Sequence, residues 1–348
     1  MRSFVVSSLS AAVLLVQGCT PPRTTGDGGA EGEGEGEVSG DVCDLGTVSV
    51  RVPDVDGVSA LGGAPDLSCI GNPAAVGSSV PLTVEGCVDI FGVGNLAERD
   101  TEVALFAADV DPKTGTPLAT GIVAVTNQAS GLACDGANAD APACRAFDCS
   151  SEGFYRLTGP VPSNTPVTIR ISHPTASIVV DTYVWGLVFR DSDATDGVYN
   201  YEAPIIYSST YDSIPTLSGR FVTGAADLGD GVGNGVIAGE VHDCNDVIVE
   251  NAVVGMTGFE RSTMSTVYFD GEEDPGPDPL RTATASDGLY AVLNVPGDVE
   301  RQIVAGVRDT ACAGEDCQCL SLGSRTVKTY ADSVSIVVLE GDFPVIAP

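Results

Sequence analysis

Two lysines, two histidines and one tryptophan in 348 residues leave little room for several kinds of chemistry. A nucleic-acid binder needs basic side chains against phosphates, whereas this chain carries a formal charge of −32. Nucleic acid and anionic lipid surfaces are therefore excluded as natural partners. The histidines are His173, followed by Pro174, and His242, beside Asp243. Neither has a glutamate three residues on, so the ligand set of a zinc peptidase is missing. The Gly-x-Ser-x-Gly elbow of serine hydrolases is absent, as is a phosphate-cradling glycine loop ending in lysine. Lys113 sits in the turn Asp111-Pro112-Lys113-Thr114-Gly115 and Lys328 close to the end, poor positions for an internal lysine cross-link. With no catalytic residues to name, the chain is expected to be non-enzymatic.

What is present begins at the N-terminus. Arg2 precedes a run from Phe4 to Val16 that holds only apolar residues and serines. That length suits a signal peptide and is too short to cross a bilayer as a helix. The following Leu15-Val16-Gln17-Gly18-Cys19 resembles the bacterial lipobox. The resemblance implies that residues 1–18 are removed and that Cys19 is acylated, with membrane lipid as its partner. Two or three acyl chains hold a protein on a membrane where one does not, at about 0.8 kcal/mol per buried methylene. Thr20, in place of Asp, favours the outer membrane or cell surface among envelope locations. Residues 19–40, with the alternation Glu31-Gly32-Glu33-Gly34-Glu35-Gly36-Glu37, have nothing to bury and repel themselves. They read as a disordered tether of roughly 70 Å contour at about 3.4 Å per residue.

Beyond Cys19, ten of the eleven cysteines remain, an even number in an oxidising compartment. Disulfides are the expectation. Cys43, Cys69, Cys87, Cys134, Cys144 and Cys149 precede the linker proposed below, and Cys244, Cys312, Cys317 and Cys319 follow it. Pairing within each group is the economical arrangement. Joining Cys317 to Cys319 across one residue would strain the bridge. Cys244 is thus expected to pair with Cys317 or Cys319, and Cys312 with the other.

The remaining pattern is β throughout. Val48, Val50 and Val52 alternate with Ser49 and Arg51, and Val167, Ile169 and Ile171 with Thr168 and Arg170. With 42 glycines and 21 prolines, no helix longer than a turn or two is expected. The chain also repeats itself. Val84-Glu85-Gly86-Cys87-Val88-Asp89 is answered by Ile237-Ala238-Gly239-Glu240-Val241-His242, and Glu102-Val103-Ala104-Leu105 by Ala252-Val253-Val254-Gly255. Ser151-Glu152-Gly153-Phe154-Tyr155 with Val161-Pro162 is answered by Ser286-Asp287-Gly288-Leu289-Tyr290 with Val295-Pro296. The order is the same in both halves. This arrangement resembles the carboxypeptidase regulatory-like family, a prealbumin-like β-sandwich; an immunoglobulin-like sandwich fits the strand count nearly as well. The expected fold is all-β, two tandem Greek-key β-sandwiches. The expected domains are 41–223, with a cysteine-bearing insertion at 109–149, and 236–348, joined by a glycine-rich linker at 224–235.

Two features could carry binding. Asp191-Ser192-Asp193-Ala194-Thr195-Asp196-Gly197 sets three carboxylates in a short loop, the hard oxygen ligands that calcium prefers. Its spacing is one residue too long for the start of an EF-hand loop, and a solvated acidic turn is the alternative reading of Asp191, Asp193 and Asp196. Tyr199, Tyr201, Tyr207 and Tyr211 follow directly; on a surface they could stack sugars, and half-buried tyrosines of a β-sheet are the commoner reading. No cofactor is required, with calcium the candidate if there is one. The leading expectation is a lipid-anchored envelope protein serving as a structural or interaction module. The alternative is a calcium-assisted module that binds a glycan or an envelope protein.

Overall fold

The computed structural model describes residues 41–44, 49–52, 59–60, 65–70, 77–91, 100–123, 153–175, 178–219, 233–260, 263–271, 275–308 and 319–340. The expected signal peptide, tether and lipidated Cys19, the insertion from 124 on and most of the expected linker lie outside these residues.

An N-terminal strap carries β1 (Asp41–Asp44), β2 (Ser49–Val52) and β3 (Ser59–Ala60). The first half carries β4 (Pro81–Phe91), β5 (Glu102–Ala107), β6 (Ala119–Ile122), β7 (Phe154–Arg156) and β8 (Val161–Pro162). It continues with β9 (Pro166–Ser172), β10 (Asp181–Val188), β11 (Val198–Asn200), β12 (Ala203–Ile206) and the helix α1 (Ser208–Leu217). The second half carries β13 (Asn234–His242), β14 (Val249–Glu250), β15 (Val253–Met256), β16 (Ser265–Phe269) and β17 (Pro277–Asp278). It ends with β18 (Leu289–Pro296), β19 (Val299–Arg308), β20 (Cys319–Thr329), β21 (Ser333–Ile336) and β22 (Leu339–Glu340). The fold is all-β, as the alternating pattern predicts.

Each half is a two-layer sandwich. In the first, β11, β4 and β12, with β7 and β8, face a layer of β5, β6, β9 and β10. Val84, Val88, Tyr155 and Ile205 meet Leu105, Ile169 and Ile171 between them. In the second, β13, β16, β18, β21 and β22 face β15, β19 and β20, and Ile237, Tyr290 and Val292 meet Val254, Ile303 and Leu322. Alternating side chains from both inner faces build such a core.

The sequence repeat is a repeat of register. Gly86 pairs with Tyr155 and Gly239 with Tyr290. Val88 pairs in parallel with Ala203, and Val241 with Leu339. At Gly86 a Cβ would collide with the Tyr201 carbonyl, and at Gly239 with the Val337 carbonyl. Those same two carbonyls accept hydrogen bonds from the Tyr155 and Tyr290 hydroxyls, each at 2.9 Å. A glycine is needed so that the chain can approach, and a tyrosine caps the oxygen so brought inside. The acidic-glycine turns before those tyrosines hold Gly153 and Gly288 at φ of 85° and 68°.

The halves are fused. β10 of the first pairs in parallel with β21 of the second, from Asp181↔Ser333 to Val184↔Ile336. One sheet therefore runs β17-β16-β18-β13-β21-β10-β9-β5-β6 through both halves, with β22 also paired to β13. A third cluster, with Val180, Ile206 and Tyr211 from the first half and Val236, Phe269 and Val334 from the second, fills the space beside the junction. A bulge between Val184 and Leu187 in β10 lets Trp185 turn towards the core of the second half.

Three expectations need correction. Residues 224–235 are not all linker, because Asn234 and Gly235 already belong to β13. The helix α1 is ten residues long, more than a turn or two. Tyr211 and Ile214 hold it against the third cluster, so packing rather than propensity makes it form. The third concerns the cysteines. Cys69 is bonded to Cys244, 175 residues away, and so crosses between the two groups. The strap explains this: β3 pairs with β14 of the second half, Ala60 opposite Val249. Residues 59–60 and 65–70 thus dock on the distant half before the chain enters β4. Cys87 is also disulfide-bonded. The partners expected for Cys43, Cys134, Cys144, Cys149, Cys312, Cys317 and Cys319 lie outside what the described residues define.

Candidate functional site

The junction of β10 with β21 is flanked at both ends by charged groups drawn from both halves. Ahead of it, Asp111 in the β5–β6 turn accepts hydrogen bonds from Lys328 Nζ at 2.6 Å and from the Tyr330 hydroxyl at 2.9 Å. The two lysines, far apart in sequence, meet over one ring: Lys113 Nζ lies 5.3 Å and Lys328 Nζ 4.9 Å from the Tyr330 centroid. Tyr183 packs on Tyr330 at 4.6 Å and Trp185 stacks beside them. Burial works against the Asp111 charge, but the bonds from Lys328, Lys113 N–H and Tyr330 overcome it and hold the carboxyl at about 2. Asp111 is therefore a firmly ionised ion-pair partner.

Past the junction lies a second cluster, centred on the turn that joins β13 to β14. His242 ends β13, and its ring bonds Glu240 through Nε2 and Asp246 through Nδ1, each at 2.7 Å. Burial alone would lower the imidazole; the two carboxylates raise it to about 9. Asp246 is correspondingly lowered, first by its hydrogen bond to His242. Glu340 stands opposite His242 in the β22 pairing. Its carboxyl is raised to about 7 by burial and then by Asp246, against His242, Arg190 and Arg325. From the first half, Asp89 is raised by desolvation and by Glu240, and Glu202 by desolvation and by Asp89.

The same turn anchors the strap. Asp243 is buried, with 4% exposure, and accepts from the backbone N–H groups of Asp66 at 2.9 Å, Asn245 at 2.9 Å and Val247 at 3.1 Å. Cys244 N–H donates to the Asp66 carbonyl at 2.9 Å, and Asn245 Nδ2 to the Asp66 carboxylate at 2.9 Å. A buried carboxylate with three donors is well satisfied. One seven-residue stretch, Glu240 to Asp246, thus faces the strap, the first half and the C-terminal strand. Nothing in its local sequence except the adjacency of His242 to Asp243 marked it.

The residues singled out for binding are placed otherwise. Asp191 to Asp193 form a single 3-10 turn, and Asp191 is tied to Asn164, whose Nδ2 donates to Oδ1 at 3.1 Å. Thr195 and Val198 exchange backbone hydrogen bonds at 2.9 Å around Asp196 and Gly197, at φ of 53° and 76°. Two positive-φ residues between paired neighbours make the tight hairpin turn that Asp-Gly favours. Among the described residues, no group of three or more His, Cys, Asp or Glu side chains is arranged to hold a metal ion. The four tyrosines make no exposed platform. Tyr199 and Tyr201 pack edge-on against Phe189 in the first core. Tyr207 and Tyr211 are 9% and 5% exposed, and the Tyr211 hydroxyl donates to the Asn234 carbonyl at 3.3 Å. Of the histidines, His173 lies just after β9 and exchanges contacts with the Thr175 backbone, 3.0 Å from its N–H.

No protein-family model matches the sequence, and no curated protein matches it. The solved structures that are similar in part include three pilins. A mutant of the shaft pilin SpaA from Lactobacillus rhamnosus GG is 8% identical over 75% of this chain and 98% of its own, with a TM-score of 0.20. A streptococcal ancillary pilin is 12% identical over 75% of this chain and 62% of its own, at 0.17. The major pilin protein of Streptococcus pyogenes is 9% identical over 77% and 100%, also at 0.17. Likeness at these scores carries no argument about what the chain does.

Proposed function

We propose that the chain is a non-enzymatic module of the bacterial cell envelope, lipid-anchored through Cys19 and held off the membrane by the Glu-Gly tether. The observation that carries this reading is the fusion of the two sandwiches into one sheet, reinforced by the Cys69–Cys244 bond between the strap and the far half. A chain that continues its ladder from one sandwich into the next, and fastens its leading segment covalently to the second, is built to keep a fixed shape under load. The Asp111 cluster ties one half to the other through Lys328 and Tyr330. In this reading the partner is another envelope protein met by the outer faces of the sandwiches. The inward tyrosines remove the main support for a glycan.

Two measurements on intact cells test it. Radiolabelled palmitate should enter the wild-type protein, and Cys19→Ala should abolish labelling and release the protein from the membrane fraction. Protease shaving should yield peptides from residues 41–348 at the surface. A protein that takes up no palmitate and keeps its location when Cys19 is replaced would overturn the anchoring.

A further inference from the structure

The turn after β13 is a seat for the strap that keeps its shape by itself. Asp243 Oδ1 accepts the N–H groups of Asn245 and Val247, at 2.9 and 3.1 Å, and Asp243 N–H donates to the Val247 carbonyl at 2.8 Å. Only Oδ2 is turned to the strap, where it takes Asp66 N–H at 2.9 Å. Asp66 is gripped twice more, its carbonyl by Cys244 N–H and its carboxylate by Asn245 Nδ2, each at 2.9 Å. Three residues on, Cys69 closes the bond to Cys244. Beside it Leu67 packs, partly buried, against the second core, and β3 adds two residue pairs to β14. Hydrogen bonds at part-exposed positions replace bonds to water at little net gain, so the covalent link decides whether the strap stays.

That link can be reached without opening a core. Cys69 and Cys244 are both half-buried, next to the exposed Ser68 and Asn245, and neither belongs to a core cluster. Cys87, in contrast, is bonded at 4% exposure. An accessible disulfide is the one a dithiol reduces first.

We propose that the Cys69–Cys244 bond is a redox latch on the tether. Closed, it stores the chain from 41 to 76 against the second half. A dithiol opens it by passing two electrons and two protons to the two sulfurs, leaving Cys69 and Cys244 as thiols and becoming a disulfide itself. The strap then leaves its seat, and the tether gains roughly 120 Å of contour at about 3.4 Å per residue. The fused body stays folded, and reoxidation on the intact seat closes the latch again. The gain in reach rests on the anchored tether proposed above; the latch itself does not.

The test uses the purified full-length protein, oxidised and then exposed to rising dithiothreitol in native buffer. Free thiols are alkylated and mapped by mass spectrometry, and a brief proteinase K pulse reports on the strap. Cys69 and Cys244 should be alkylated at concentrations that leave Cys87 unlabelled. Cleavage between 41 and 76 should then rise by roughly thirtyfold, the lower end of what closing so long a loop contributes. The strands of both cores should stay uncut and the far-UV circular dichroism unchanged. Joint replacement Cys69→Ser with Cys244→Ser should give the open pattern without dithiol. Asp66→Ala, which removes the carboxylate grip alone, should keep the oxidised strap protected and slow its re-closing several-fold; it serves where the double variant fails to fold. A strap still protected once Cys69 and Cys244 are fully alkylated overturns the proposal, as does loss of the β signal on their reduction. None of these readouts needs the acyl chain, so a protein that takes up no palmitate leaves the latch standing, and a strap that stays shut leaves the anchor standing.

Discussion

The two halves carry the same sandwich and treat one edge of it in opposite ways. In the first half, β11 runs beside β4 as β21 runs beside β13 in the second: Val198 pairs with Thr83, and Val334 with Val236. On its outer side β21 receives β10 and so joins the halves. Among the described residues, β11 receives on its outer side only the Thr195–Val198 bridge of its own acidic hairpin. A free strand edge is a template for unwanted pairing, and natural proteins blunt it with short turns and charge. The loop that reads as a calcium site thus lies at an edge whose twin is used for fusion. The same element can be a joint or an end, depending on what the sequence places next to it.

That comparison can be broken at several points. The largest effect is expected from Gly86→Ala and Gly239→Ala, where the new Cβ meets a backbone carbonyl that cannot retreat. Each should cost about 3 kcal/mol, and guanidinium unfolding should show equal losses if the register repeat governs both halves. A loss confined to one would mean that the halves are not equivalent. Next comes the joint replacement Cys69→Ser with Cys244→Ser, which should cost about 2–4 kcal/mol by the same measurement. Its local effect should be faster proteolysis of the strap, with the first half untouched. Tyr155→Phe and Tyr290→Phe each leave a buried carbonyl without its hydroxyl and should cost about 1–2 kcal/mol.

The pH dependence of stability follows from signs. His242, raised to about 9, contributes stability that is full below its unfolded value of 6.5 and disappears as pH rises through 9. Glu340, raised to about 7, binds its proton more tightly when folded, so its contribution also declines as pH rises from about 4.5 to 7. Asp111 and Asp246, both lowered, contribute stability above the ordinary carboxylate range that is lost in acid. Thermal melts should therefore peak near pH 5 and decline steadily towards pH 9. A maximum at pH 8 or above would contradict this balance. The smallest expected effect is none: 1 mM calcium should leave the melting temperature unchanged if the Asp191–Asp196 loop is only a hairpin turn.

The repeat was legible because its key residues are local. A glycine two places before a valine and an acidic-glycine turn before a tyrosine survive as short patterns. What the tyrosines do was not, since their hydroxyls reach carbonyls 46 and 47 residues away. Parallel pairing of β10 with β21 leaves no local signature either, because it joins two edges of unrelated sequence. The Cys69–Cys244 bond was misassigned by economy: spacing along the chain says nothing about a strap that docks on the far half. The place of the tyrosines from 199 to 211 stayed open for a related reason. Their alternation and spacing fit a surface strand as well as a buried one, and only the neighbouring sheet and Phe189 decide which side faces in.

Equilibrium unfolding in guanidinium chloride, followed at once by Trp185 fluorescence and far-UV circular dichroism, tests most directly whether the fused sheet makes the halves one body. One cooperative transition with coincident curves is the predicted result at pH 6. Two separated transitions, with one sandwich melting while the other stays folded, would contradict it.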